Sequence, residues 1–125
     1  MVGVGRMSII LVIDDEPEML QGLVSLLELK GHTVRSAQNG ATGLALMEEQ
    51  TPDLVISDMK MPRMSGLALL KNIRSQPEWV SIPFILLSAF ATEEDGQHAL
   101  KIGAQEILSK PIRVEDFYRI VSKYV

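Results

Sequence analysis

Three carboxylates, a lysine and a serine stand close behind short apolar runs in this chain. Asp14 and Asp15 follow Ile9 to Ile13, Asp58 follows Leu54 to Ile56, Ser88 follows Ile82 to Leu87, and Lys110 follows Glu106 to Leu108. If the runs are neighbouring strands, these side chains meet at one edge. Carboxylates within about 4–6 Å oppose one another's ionisation by on the order of one pKa unit, or about 1.4 kcal/mol. A hard divalent cation relieves that repulsion. Mg²⁺ takes oxygen ligands, uses only one or two protein carboxylates and leaves room for phosphate oxygens. The cluster of Asp14, Asp15 and Asp58 therefore suits Mg²⁺ and looks built for a phosphoryl group. Asp58, alone opposite the acidic pair, is the expected nucleophile, because a carboxylate can attack phosphorus to form an acyl phosphate. Lys110 supplies a fixed cation and Ser88 a hydroxyl for the phosphoryl oxygens. Phosphoryl transfer asks for little beyond such positioning and charge neutralisation.

Taken singly, each residue also has a plain structural role. Asp15, before Glu16-Pro17-Glu18, suits a helix cap. Asp58 suits a turn, Lys110 a solvated strand end, and Ser88 alone says little. The functional reading rests on four of the five strand ends carrying these groups together. Met59, Met61 and Met64 read as adaptable apolar cover over the loop after Asp58. His32 and His98 lack partners at metal-ligand spacing and read as surface residues, while Trp79 reads as an anchor for the loop before the fourth strand.

The elements that must position this edge follow from periodicity. The strand-length runs are those above, with a further one at Thr33 to Ser36. Between them, apolar residues recur at helical spacing: Met19, Leu20, Leu23, Leu26 and Leu27; Ala41, Leu44 and Ala45; Leu67, Leu70 and Ile73; Phe117, Ile120, Val121 and Tyr124. Thr92 to Ile102 is a marginal helix, with Gly96 inside it and a start signal in Thr92 and Asp95. Lys30-Gly31 and Gly103 end helices, Asn39-Gly40 is a turn, and Pro52 breaks the chain before the third strand. Five βα units imply a parallel sheet with helices on both faces. Ligands of such sheets bind beyond the C-terminal strand ends, where strand order reverses.

Composition narrows the function classes. The 125 residues are 46% hydrophobic and 22% charged, which fits one folded domain. A net charge of -4 and a pI of about 5.1 argue against direct nucleic-acid binding. No cysteine means no disulfide and no thiolate chemistry, which fits the cytoplasm. No apolar stretch approaches the roughly 20 residues of a membrane span. The apolar run at Ile9 to Ile13 is too short for a signal peptide. Residues 1–7 read as a flexible lead-in and 8–125 as the domain.

From about Ser8 to Val125 the sequence resembles response-regulator receiver domains of two-component systems. The motifs are Ile13-Asp14-Asp15, Ser57-Asp58-Met59-Lys60-Met61-Pro62, Ser65-Gly66, Leu87-Ser88-Ala89 and Lys110-Pro111. The resemblance implies a flavodoxin-like (βα)5 three-layer sandwich with strand order 2-1-3-4-5. It implies Mg²⁺ held by Asp15, Asp58 and the backbone carbonyl of Lys60, with Asp14 acting largely through water. It further implies that Lys110 pairs with the phosphoryl group, that Ser88 binds one of its oxygens, and that the Lys110-Pro111 peptide is cis. The implied partners are a sensor histidine kinase or phosphotransfer protein and an output domain or effector, with the last two helices and fifth strand the usual partner surface and a route to homodimers. Three positions depart from the family pattern or tune it. Ile107 occupies the site of a switch aromatic, and Lys60 and Phe90 occupy the positions that govern hydrolysis. Neither Lys60 nor Phe90 suits orientation of an attacking water, which implies a long-lived phosphoryl group.

The expected function is thus a signalling phosphoacceptor that catalyses only its own phosphorylation and slow dephosphorylation. An aspartate-nucleophile phosphatase of the haloacid dehalogenase kind would need a second acid two residues after Asp58, where Lys60 stands. A phosphorylation-independent docking or dimerisation module is the alternative. It differs in predicting no response to Mg²⁺.

Overall fold

The computed structural model describes residues 8–89 and 93–125. The expected lead-in at 1–7, and with it Phe90 and Thr92, lies outside the described residues. The described chain alternates strand and helix: β1 Ile9–Ile13, α1 Pro17–Leu29, β2 Thr33–Ala37, α2 Gly40–Glu49, β3 Leu54–Asp58, α3 Gly66–Arg74, a 3-10 turn Pro77–Trp79, β4 Phe84–Ser88, α4 Glu93–Ile102, β5 Glu106–Ser109 and α5 Val114–Val121.

The strands form one parallel sheet in the order β2-β1-β3-β4-β5. Side chains alternate faces along a strand, and the two faces build separate cores. Leu11, Ile13, Val55, Phe84 and Leu86 point to the side covered by Met47 of α2, Leu69, Leu70 and Ile73 of α3 and Ala99 of α4. Ile10, Val12, Leu54, Ile56, Ile85 and Leu87 point to the side covered by Leu20, Leu23 and Leu27 of α1 and Phe117, Ile120 and Val121 of α5. That double coverage is why β3 and β4 read as unbroken apolar runs and are buried throughout, whereas the edge strands β2 and β5 are half-exposed.

Local chemistry sets the boundaries. Pro17 opens α1, where a missing N–H costs nothing. Gly31 then ends it at φ 86°, a conformation that favours glycine. Ser65 caps α3 by accepting a hydrogen bond from the Ala68 N–H at 3.1 Å. Two expected features differ. Asn39-Gly40 is the start of α2 rather than a free turn, because the Asn39 side chain accepts from the Thr42 N–H at 2.8 Å. The fourth strand begins at Phe84 instead of Ile82, because Pro83 has no N–H to offer the sheet. Its carbonyl still accepts from the Val55 N–H at 3.0 Å. At the far edge, the Tyr124 hydroxyl donates to Glu106 at 2.6 Å, and this bond pushes the phenol pKa up to about 12.

Candidate functional site

The reversal of strand order falls between β1 and β3, and the acids sit where those strands end. Asp14 follows β1 directly, held by its N–H donating to the Ala37 carbonyl of β2 at 3.1 Å. Its side chain is fully buried, with Oδ1 accepting from the Glu16 N–H at 2.9 Å. The other oxygen faces Lys110. Asp58 is the last residue of β3, buried to 6% exposure, and Asp15 is the most open of the three. One carboxylate oxygen from each of Asp14, Asp15 and Asp58 lies within 4.8 Å of the others. Three hard oxygen donors at that spacing suit a Mg²⁺-sized cation.

Lys110 enters from β5. Its Nζ stands 3.2 Å from Asp58 Oδ1 and 3.4 Å from Asp14 Oδ2, so it bridges the two buried acids. The lysine is aimed by its own main chain: its N–H donates to the Ser88 carbonyl at 2.8 Å, and the following peptide to Pro111 is cis, as expected. That bond also sets the ends of β4 and β5 side by side, with Ser88 buried and paired in register with Ser109. Asp14, Asp15, Asp58, Ser88 and Lys110 thus gather at one edge. Lys60 lies exposed in the loop after β3, and Ile107 is half-buried in β5 against the core on the α2, α3 and α4 side. Phe90 lies outside the described residues.

The charges do not cancel. Burial, then the neighbouring Asp14, push the Asp58 pKa above its ordinary value, and Lys110 only partly opposes them. For Lys110, burial disfavours the charge, but Asp14 and Asp58 outweigh it and raise its pKa.

Two parts of the site go beyond what the sequence assigns. Gly66 stands there only as part of a motif. A Cβ at this position would strike the Asp58 carbonyl oxygen and crowd Leu86 and Met59, so glycine is what lets α3 start against the end of β3. The Gly66 N–H donates to the Met59 carbonyl at 2.8 Å and closes that loop. The contact between Lys110 and Asp14 is the other, because the sequence pairs the lysine only with the phosphoryl group. The methionines behave as expected: Met59 and Met61 are buried, and Met64 packs against the core.

The profile of the family described as the response regulator receiver domain matches residues 10–122. The chain belongs to the response regulator receiver family. Among its relatives is the transcriptional regulatory protein KdpE of Mycobacterium tuberculosis, 39% identical over 89% of this chain and 48% of that protein. The receiver thus spans about half the length of that relative. Among solved structures, the chemotaxis protein CheY4 of Vibrio cholerae is 28% identical with a TM-score of 0.91, covering 96% of this chain and 100% of the other. The receiver domain of a sensor histidine kinase from Pseudomonas aeruginosa PAO1 is 25% identical with a TM-score of 0.86, over 95% of this chain and 98% of the other. That structure has a magnesium ion coordinated in its active-site cleft. Receiver domains are signalling phosphoacceptors of two-component systems, bind Mg²⁺ at an acidic pocket, and work with histidine kinases and output domains. This receiver carries the acidic cluster of such a pocket. No helix among the described residues is long and apolar enough to cross a membrane.

Proposed function

We propose that this receiver accepts a phosphoryl group on Asp58 from the phosphohistidine of a histidine kinase or phosphotransfer protein, in a Mg²⁺-dependent reaction. The observation that carries the proposal is Lys110 Nζ set between Asp58 and Asp14 at 3.2 and 3.4 Å, beside a cluster of three carboxylates. In the transfer, a lone pair of an Asp58 carboxylate oxygen forms the new O–P bond. The P–N bond to the donor imidazole breaks, and its electron pair stays on nitrogen, which takes a proton. Asp14, Asp15, Asp58 and the Lys60 carbonyl would hold Mg²⁺, which neutralises carboxylate and phosphoryl oxygens together. Lys110 turns from its carboxylate partners toward the phosphoryl oxygens, and the Ser88 hydroxyl donates to one of them. Burial keeps the product carbonyl from bulk water.

Capture of the phosphoryl group by Ser88 and Lys110 then biases the segment after β4 and helix α4 by a population shift, which an output domain or effector reads. Ile107, an aliphatic residue, fills the β5 position beside α4. With lysine two residues after Asp58 and phenylalanine two after Ser88 in the sequence, neither position offers a carboxylate or amide to orient water, so the acyl phosphate persists.

Acetyl phosphate and Mg²⁺, followed by intact mass measurement in the cold, should give one phosphoryl adduct on the wild type and none on Asp58→Asn. An equal adduct on both proteins, or none on a folded wild type, sinks the assignment. The wild-type adduct should survive for minutes or longer in Mg²⁺, and decay within seconds would contradict the roles given to Lys60 and Phe90.

A further inference from the structure

Helix α4 is built unevenly. Its sequence from Glu93 to Ile102 places three acids in the first turn, and its one buried residue is Ala99, in the second half. Gly96 lies inside the first half, where glycine weakens a helix relative to alanine because its backbone loses more freedom on folding. Packing does not require that glycine. Among the described residues, a Cβ at position 96 would meet only Ile107 Cδ1, at an ordinary contact distance of 3.7 Å.

The other end of α4 is locked. Arg74, the last residue of α3, donates from Nη2 and Nε to the Gly103 carbonyl at 2.8 and 3.2 Å, from Nη1 to the Trp79 carbonyl at 3.2 Å, and from Nη2 to Gln105 Oε1 at 3.1 Å. The same Gln105 oxygen accepts from the Phe84 N–H at 2.7 Å, which ties the junction to the first residue of β4. Gly103 sits at φ 123°, and a Cβ there would run into the Arg74 side chain. The guanidinium therefore directs these hydrogen bonds to the turn after α4 and to the loop before β4. It is half-buried, and all three of these acceptors are uncharged oxygens.

We propose that α4 is a hinged helix: Arg74 fixes its C-terminal end as a pivot, and Gly96 lets its N-terminal half open. That opening is the element which phosphorylation biases, so the trigger rests on the Asp58 reading while the hinge itself does not. The hinge makes the response asymmetric along one helix. Residues facing the segment after β4 rearrange, and the junction at Gly103 to Gln105 keeps its place against α3.

Amide hydrogen exchange of the Mg²⁺-loaded protein tests this, read at Gln97 and His98 directly after Gly96 and at Gly103 and Ala104 at the pivot. In the unphosphorylated wild type, the first pair should exchange at least ten-fold faster than the second. Gly96→Ala should slow Gln97 and His98 by about two- to five-fold and leave the pivot unchanged. Arg74→Lys, which keeps the charge and loses the fork, should instead release Gly103 and Ala104. Equal protection at both ends, or uniform slowing along the helix by Gly96→Ala, overturns the hinge. After acetyl phosphate, with the adduct confirmed by mass, exchange should change at Gln97 and His98 alone, and a change reaching Ala104 overturns the pivot. Absence of any adduct counts against Asp58 as acceptor, and the hinge is then judged on the unphosphorylated arms.

Discussion

At the scale of single residues, one lysine stands between two buried acids, Asp14 and Asp58. Asp58 has its folded pKa raised, chiefly by burial and then by Asp14. What the group contributes to stability is therefore present below the ordinary carboxylate value and lost as pH rises through the raised one. Once ionised, the poorly hydrated Asp58 works against the metal-free fold. Losing its attraction to Lys110 costs something, but the net upward shift means that burial and Asp14 weigh more. Asp58→Asn should thus melt at a higher temperature than wild type at pH 7 in a chelator, and the gap should close as the pH falls toward 4. A lower melting temperature for the variant at pH 7 would show that Lys110 dominates. How much of this is legible in the sequence depends on the residue. The identity of Asp14, Asp15, Asp58, Ser88 and Lys110 is readable because each stands at a strand end. The bridging position of Lys110 is not, since it depends on where β5 lies relative to β1.

At the scale of elements, short apolar runs and helical spacing locate the five strands and five helices of the described residues. The misread boundaries have local causes: a proline whose missing N–H delays β4, and an asparagine whose side chain turns an apparent free turn into a cap. The Arg74 clamp leaves no trace in a linear reading, because its acceptors include main-chain carbonyls and a Gln105 side chain 31 residues away. Gly66 is a case where chemistry at an element junction sets the site. Gly66→Ala should lower stability by about 1–3 kcal/mol through overpacking against the Asp58 carbonyl and Leu86. Urea denaturation measures this, and Mg²⁺ affinity should fall alongside as the end of β3 shifts. A change below about 0.5 kcal/mol, the usual range for unconstrained surface sites, would show that the junction relaxes freely.

At the scale of the whole molecule, the metal acts as a ligand of the folded state only, since the three acids meet only there. Mg²⁺ at ten times its Kd should stabilise the protein by about 1.4 kcal/mol. Thermal unfolding with Mg²⁺ against chelator reads this directly, and no shift would favour a docking module over a phosphoacceptor. The bond between Lys110 and Asp14 joins residues 96 positions apart, from the end of the first strand to a point beyond the last. A ribosome releases these groups in order, acids first and cation last. A nascent chain that has built its first three strands already holds Asp14, Asp15 and Asp58 without their counter-charge, and the two ion pairs of Lys110 close only once β5 docks.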